Sequence, residues 1–240
     1  MVNHWLNIKQ RLTPNYCLLC QQRLDSKEQS GLCDSCLLDL PWLTSACVKC
    51  ALPLKSVRGE SLICGHCQKQ PPVFSQTHAL FHYQFPIDRL VSRLKFHQQL
   101  RYAKALGQLL CDHIRFQYQN QPLPDLLFPV PLHRKRLRER GFNQAQEIAR
   151  VCSKELGIAL RSDLCKRQKN TAHQPGLTAR ERRNNLKQAF TCQALKPGCR
   201  IALVDDVMTT GTTMNELTRC LLKAGCEEVH LWCIARAHYQ

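Results

Sequence analysis

Residues 201–213, IALVDDVMTTGTT, decide the fold. Ile201, Ala202, Leu203 and Val204 are four apolar residues in a row, which suits a strand buried on both faces. Asp205 and Asp206 come where that strand should end. The run Thr209-Thr210-Gly211-Thr212-Thr213 follows, and then a helical pattern, MNELTRCLLKAG. A strand passing through a Gly/Thr loop into a helix builds an anion site. The first helical amides have no intrahelical acceptor, the helix N-terminus carries partial positive charge, and threonine hydroxyls add donors. Gly211 allows the backbone a close approach to a phosphate. Carboxylates repel phosphate but suit sugar hydroxyls or a metal ion beside them. Neither a Walker A sequence nor a G-x-G-x-x-G occurs, so common nucleotide-binding alternatives lose support.

Cysteine spacing gives the second signal. Of 16 cysteines, eight fall in the first 67 residues as four C-x-x-C pairs: Cys17/Cys20, Cys33/Cys36, Cys47/Cys50 and Cys64/Cys67. Each pair can place two thiolates on one tetrahedral ion, and two pairs complete a closed structural zinc site. The spacers within the first two and the last two pairs are 12 and 13 residues, each enough for a short ribbon. Sequential pairing into two ribbons with two structural Zn²⁺ is therefore expected, with a cross-brace as the alternative. The N-terminus MVNHWLNIKQRL is polar and lacks a long apolar run, so neither export nor membrane insertion is expected, and disulfides are not expected among these pairs. His66 lies inside C-G-H-C but the flanking cysteines complete the ligand set. The other eight cysteines show no ligand spacing and read as small core residues.

The chain has 240 residues and a formal charge of +16. Eight zinc-bound thiolates and two Zn²⁺ lower this to about +12. A boundary is expected at Pro71-Pro72, giving a metal-dependent ribbon domain over 1–70 and one α/β domain over 71–240. The basic charge is clustered. HRKRLRER (133–140) carries +4 and residues 161–187 carry +6, so ten of the sixteen charges sit in two short stretches. That favours an anionic partner, either a polyphosphate or a nucleic acid.

The periodicity after Pro72 predicts strands at 77–84, 125–130, 162–167, around LKQAF, at 200–204 and at 228–237. It predicts helices over IDRLVSRLKF, YAKALGQLLCDHIRFQ, 143–156 and the segment after Thr213. Such alternation points to a mostly parallel sheet flanked by helices, with ligands at the C-terminal strand ends. PVPLHRKRLRERGFNQA (129–145) then reads as a basic loop entering this crevice. Arg140, just before Gly141, is the strongest candidate for a phosphate-bearing ligand, followed by Arg134 and Arg138. Residues 168–185 read as a long polar loop. Gln174, Leu177, Arg180, Arg183 and Asn184 are placed to cover the site, or to touch nucleic acid instead.

The strand, acids and Thr/Gly loop resemble the motif that binds 5-phosphoribosyl-1-diphosphate (PRPP) in type I phosphoribosyltransferases. With the four C-x-x-C pairs, PVPLHRKRLRERGFNQA and TAHQPGLTARERRNNLKQAF in that order, nearly the whole chain resembles the ComF/GntX family. The resemblance implies a type I phosphoribosyltransferase-like α/β fold behind a small N-terminal double zinc ribbon. It implies PRPP binding, with Mg²⁺, by Asp205, Asp206, Val207, Met208, Thr209, Thr210, Gly211, Thr212 and Thr213. Asp205 and Asp206 would hold the ribose hydroxyls, Thr209–Thr213 the 5-phosphate, and Arg134, Arg138 and Arg140 the diphosphate. Asp205, Asp206 and Arg140 would be the catalytic residues of a transferase. The family further implies a cytoplasmic bacterial protein that handles single-stranded DNA in transformation or nutrition, with a helicase or other DNA-processing protein as a partner for the ribbons. An enzyme and a ligand-responsive binding module both remain open, and no acceptor pocket is legible.

Overall fold

The computed structural model describes residues 16–25, 30–55, 62–96, 100–167 and 189–237. In chain order its helices are α1 (Asp34–Leu38), α2 (Gly65–Lys69), α3 (Ile87–Phe96), α4 (Leu100–Gln117), α5 (Arg134–Arg140), α6 (Gln144–Leu156) and α7 (Thr212–Lys223). The strands are β1 (Gln76–His82), β2 (Leu126–Pro129), β3 (Ala159–Leu160), β4 (Cys165–Arg167), β5 (Phe190–Cys192), β6 (Arg200–Met208) and β7 (Glu228–Arg236). Five strands form one parallel sheet in the order β1-β7-β6-β2-β3, and β4 and β5 form a separate antiparallel pair.

β6 is central because its residues are apolar on both faces. Ala202 and Val204 face one cluster with Leu90, Leu94, Leu106, Leu110, Ile148 and Trp232. Ile201 and Leu203 face the other with Leu217, Leu221, Val229 and Leu231. Each fully buried leucine contributes about 1.5–3 kcal/mol. Helices α4 and α6 approach closely at Gly107, where an added Cβ would lie 2.8 Å from Val151 Cβ.

The ribbons extend these same clusters. Cys17, Leu24, Leu32, Cys33 and Leu40 join the α3/α4 side, while Cys47, Cys50, Cys64, Cys67 and Phe74 join the α7 side. The second ribbon also lies along the free edge of β1. Leu43 N donates to Leu80 O at 2.8 Å, Thr77 Oγ1 donates to Lys49 O at 2.6 Å, and Trp42 packs on Phe81 with ring centroids 4.6 Å apart.

Several expectations need correcting. β6 does not stop at 204 but pairs with β7 through Met208, so the acids lie within the strand. The stretch 134–140 is helical: His133 Nδ1 accepts from Lys135 N, the interior residues are good helix formers, and Gly141 closes the helix at φ 77°. The 162–167 strand shortens to β4, which pairs with β5 outside the main sheet, while Ala159–Leu160 takes the edge beside β2. Cys165 and Cys192 are not separate core residues but a disulfide, and the Cys220 sulfur lies within 4.8 Å of both. The segment beyond β4 that contains Gln174, Leu177, Arg180, Arg183 and Asn184 lies outside the described residues.

At the N-terminal end of the sheet, Tyr118 gathers one buried and two half-buried histidines. Its hydroxyl lies 2.6 Å from His230 Nδ1 and accepts from Trp232 Nε1 at 3.2 Å. The His78 ring is 5.3 Å from Tyr118 and 6.1 Å from His113. Burial, with the charges of His113 and His230, holds His78 down at about 3. Burial also lowers His113 and His230, the latter against the opposing pull of Glu228. Such groups take up protons on unfolding, so their contribution is intact above the unfolded pKa of about 6.5 and is lost as pH falls below it. For His78 the loss is at most about 1.4 kcal/mol per pH unit. Urea midpoints measured from pH 7.5 to 5.5 are expected to fall more steeply for wild type than for His78→Gln; equal slopes would remove His78 from this account.

Candidate functional site

The site grows from the C-terminal ends of β2, β6 and β7. Asp206 is 4% exposed and points to the α3 side, where Lys95 Nζ lies 2.5 Å from its Oδ2. Asp205 precedes it on the opposite face of the strand, and its Oδ1 accepts from Asp206 N at 2.9 Å. Burial and the neighbouring Asp206 charge raise the Asp205 pKa. Burial pushes Asp206 the same way, but Lys95 outweighs it and holds Asp206 ionised. The two adjacent carboxylates therefore differ in character: Asp206 is an ion-paired anchor, and Asp205 is the one more ready to take a proton.

Beyond Met208 the chain turns into α7. Gly211 adopts φ 73°, and a Cβ there would come within 2.9 Å of Met208 Cε and 3.8 Å of Phe74 Cζ. Thr210 Oγ1 lies 2.8 Å from Thr212 Oγ1 and accepts from Thr212 N at 3.4 Å. Thr209, Thr212 and Thr213 are half-buried and Thr210 is exposed. Val207 and Met208 contribute packing and backbone, since Val207 packs on the α3/α4 cluster and Met208 is buried on the other.

Opposite the acids stands α5. Its i, i+4 spacing sorts the arginines. Arg136 and Arg140 are half-buried, while Arg134 and Arg138 are exposed. Burial lowers the Arg140 pKa, Asp206 and Asp205 pull it back up, and Arg136 repels it. Its Nη1 donates to Gln144 Oε1 at 3.1 Å. Asn143 caps α6 by accepting from Ala145 N and donates to Val130 O at 3.0 Å, which fixes the turn between α5 and α6. Arg167 of β4 enters from the side. Burial depresses it, Arg136 repels it, Asp205 attracts it, and its guanidinium lies 5.7 Å from the Phe190 ring centroid. Arg140, Arg136, Arg167, Asp205 and Asp206 are thus brought together, with cations outnumbering carboxylates.

Lys95 and Arg167 are not legible as site residues from sequence. Lys95 carried a signal: it sits four residues after buried Val91 on the apolar stripe of α3, where a solvated lysine is out of place.

The four-cysteine sites are formed by Cys17, Cys20, Cys33 and Cys36, and by Cys47, Cys50, Cys64 and Cys67. Sequential pairing therefore holds. Sulfur separations of 3.6 Å for Cys20–Cys33 and 3.7 Å for Cys50–Cys64 match the edge of a zinc–thiolate tetrahedron, about 3.8 Å for 2.3 Å bonds. Burial opposes ionisation of Cys17, but backbone amides of Cys20, Cys33 and Leu19 outweigh it and bring the thiol down to about 6. The same balance brings Cys47 to about 7. Burial and neighbouring sulfurs push Cys36 and Cys67 up. Four thiolates at this distance need a cation, and the donor set fits zinc.

Residues 8–69 match the double zinc ribbon domain and residues 138–240 the phosphoribosyl transferase domain. Competence protein F of Haemophilus influenzae is 36% identical over 229 residues, spanning 92% of this chain and 96% of that protein. The chain belongs to the competence protein F family. Another member, DNA utilization protein YhgH of Salmonella typhi, is 35% identical over 93% of this chain and 97% of its own length. Competence protein ComFC of Bacillus subtilis is 25% identical over 87% of this chain and 89% of its own. Among solved structures, adenine phosphoribosyltransferase of Leishmania tarentolae aligns with 63% of this chain and 74% of its own at 17% identity, with a TM-score of 0.37. In this family member the described residues contain no helix long and apolar enough to cross a membrane.

Breaking a buried ion pair from one side costs about 3–5 kcal/mol, because the other charge is left without a partner. Lys95→Met is expected to destabilise the protein by about that much, and Lys95→Met with Asp206→Asn to recover most of it. Urea denaturation of the four proteins checks this; additive losses would mean that the pair is not coupled.

Proposed function

We propose that this protein binds PRPP in the crevice between α5 and the β6–α7 turn, and that it engages single-stranded DNA through its basic outer surface during competence or DNA utilisation. The observation that carries the first part is that Asp205 and Asp206, on the strand that leads into the Thr209–Thr213 turn, lie near enough to Arg140 to pull on its charge. A ribose carrying a 5-phosphate and a 1-diphosphate asks for that order of groups: amides and hydroxyls at one end, carboxylates in the middle, guanidinium at the other. Asp205 would accept from a ribose hydroxyl, Asp206 would hold its orientation through Lys95, and Arg140 and Arg167 would face the diphosphate. Mg²⁺, a hard cation taking oxygen ligands, would arrive with the diphosphate and neutralise part of its charge. The names of the relatives, competence protein and DNA utilization protein, support the DNA part.

Transfer of the phosphoribosyl group needs a nucleophile at C1, supplied by a second substrate. We favour a binding role, with the ligand state read out as DNA handling, because the relatives are named for competence and DNA utilization.

Calorimetry with Mg²⁺–PRPP tests the ligand. Each lost charge-assisted hydrogen bond costs about 1.5–3 kcal/mol, roughly 10- to 150-fold in affinity. Asp205→Asn and Arg140→Gln are each expected to weaken binding by that range; unchanged affinity in both would overturn the reading. Release of diphosphate in the presence of nucleobases or DNA would establish the transferase alternative.

Single-stranded DNA binding is expected to weaken with salt, the log–log slope being about −0.7 per phosphate contact. Arg134, Lys135 and Arg138 are exposed on α5. Their triple alanine variant is expected to reduce the slope by about two units, and a slope unchanged by the substitutions would exclude this helix as a contact.

A further inference from the structure

The run E-V-H-L-W-C-I-A-R of β7 is buried almost throughout, and it ends in an arginine. Arg236 is 7% exposed, and among the described residues it has no carboxylate partner. Its charge is met by carbonyl oxygens from three places in the chain. Nε donates to Cys50 O at 2.8 Å. Nη1 donates to Met208 O at 3.2 Å and meets Thr209 O and Ala237 O. Cys50 is a ligand of the second four-cysteine site, and Met208 and Thr209 lead into the phosphate turn. A buried guanidinium costs several kcal/mol unless its donors are satisfied. Its carbonyl partners are therefore held in place as firmly as it is.

A second connection runs beside it. Phe74, 2% exposed, packs at Gly211, and Val73 N donates to Asn215 Oδ1 of α7 at 2.8 Å. Both residues belong to the short connection between the second ribbon and β1. The first ribbon takes a different course, with Gly31 against Leu18 and Ala105 on the far side of the sheet.

We infer that Arg236 is a positioning residue that makes the geometry of the phosphate turn conditional on metal in the second four-cysteine site. The inference rests on the PRPP reading for its ligand, though not for the connection itself. With metal bound, the Cys47–Cys50 turn is fixed and presents the Cys50 carbonyl to Nε. Arg236 then holds the Met208 and Thr209 carbonyls inward, which leaves the amides that follow directed at the crevice. Without metal the Cys50 acceptor is released, and the guanidinium must find another at the expense of the turn. Coupling of this kind is reciprocal, so a ligand on the turn must tighten metal in the second site by the factor by which metal tightens the ligand.

The test uses the full chain with both sites loaded. Zinc affinities are measured by equilibrium competition with a chromophoric chelator, and a Cys20→Ser variant identifies which transition belongs to the first site. Ribose 5-phosphate is expected to raise the second-site affinity at least about 5-fold in wild type, the lower end of typical coupling, and to leave the first site unchanged. In Arg236→Met carrying two zinc ions, this effect is lost and ribose 5-phosphate binds about 10-fold more weakly. Inorganic diphosphate, held by Arg140, binds as in wild type, which general destabilisation would not allow. Arg236→Lys, which keeps the charge and fewer donors, falls between. Undiminished ribose 5-phosphate binding in zinc-loaded Arg236→Met, or no effect of ribose 5-phosphate on second-site zinc, overturns the inference. If wild type binds neither ribose 5-phosphate nor PRPP, the PRPP reading fails separately. The connection is then decided by amide hydrogen exchange over 205–215 in wild type. Faster exchange on emptying the second site alone supports it, and unchanged exchange refutes it. The same measurement decides the matter if Arg236→Met does not fold.

Discussion

Two adjacent carboxylates stand within the C-terminal half of the central strand, largely out of water, and the groups around them are those that balance their charge. Lys95 reaches Asp206 from α3, and Arg140 and Arg167 bring positive potential from α5 and β4. None of these cations is close in sequence to the acids, so the balance can form only when the sheet and its helices have assembled. A folded chain without the acids would concentrate positive charge in a crevice of low dielectric. One without Lys95 would bury an unpaired anion. The crevice is thus a product of the tertiary structure, and its excess of cations over carboxylates is what would make it attractive to a polyphosphate.

The ribbons enter the same balance by a different route. A ribbon of this length has little core of its own. Here its cysteines and a few leucines complete the apolar clusters on both faces of the sheet, and its backbone extends the β1 edge. Metal in the second site consequently stabilises surface that the phosphoribosyl transferase-like sheet also needs. Covering the β1 edge further removes a row of unpaired backbone groups. A double zinc ribbon and a phosphoribosyl transferase domain in one chain are in this sense neighbours with a shared core.

What could be read from the sequence was whatever depends on neighbours in the chain. The four C-x-x-C pairs, the apolar run before Asp205, and Gly211 at a turn with positive φ are local facts, and the structure keeps them. The extent of β6 past Val204 was not legible, because its continuation is fixed by pairing with Cys233 to Arg236 on another strand. The helical form of 134–140 was hidden by its charge: five cations suggested a loop, while helix propensity, the His133 cap and Gly141 favoured a turn of helix. That helix explains why Arg140 is half-buried while Arg134 and Arg138 are exposed. Lys95, Arg167 and Arg236 were invisible as site residues since their meaning lies in partners that are remote along the chain. Arg236 left one trace, a cation that closes the apolar run LWCIA of residues 231–235.

The central claim is that one crevice, bounded by Asp205, Asp206, Thr209–Thr213 and Arg140, holds a phosphorylated ribose diphosphate. Crystallisation of the full chain with Mg²⁺ and PRPP tests it most directly. The account predicts the 5-phosphate on the amides and hydroxyls of the Thr209–Thr213 turn, the ribose hydroxyls at Asp205, and the diphosphate within reach of Arg140 and Arg167. A ligand bound instead on the outer face of α5 or on the ribbons, with the crevice empty at saturating PRPP, would contradict it.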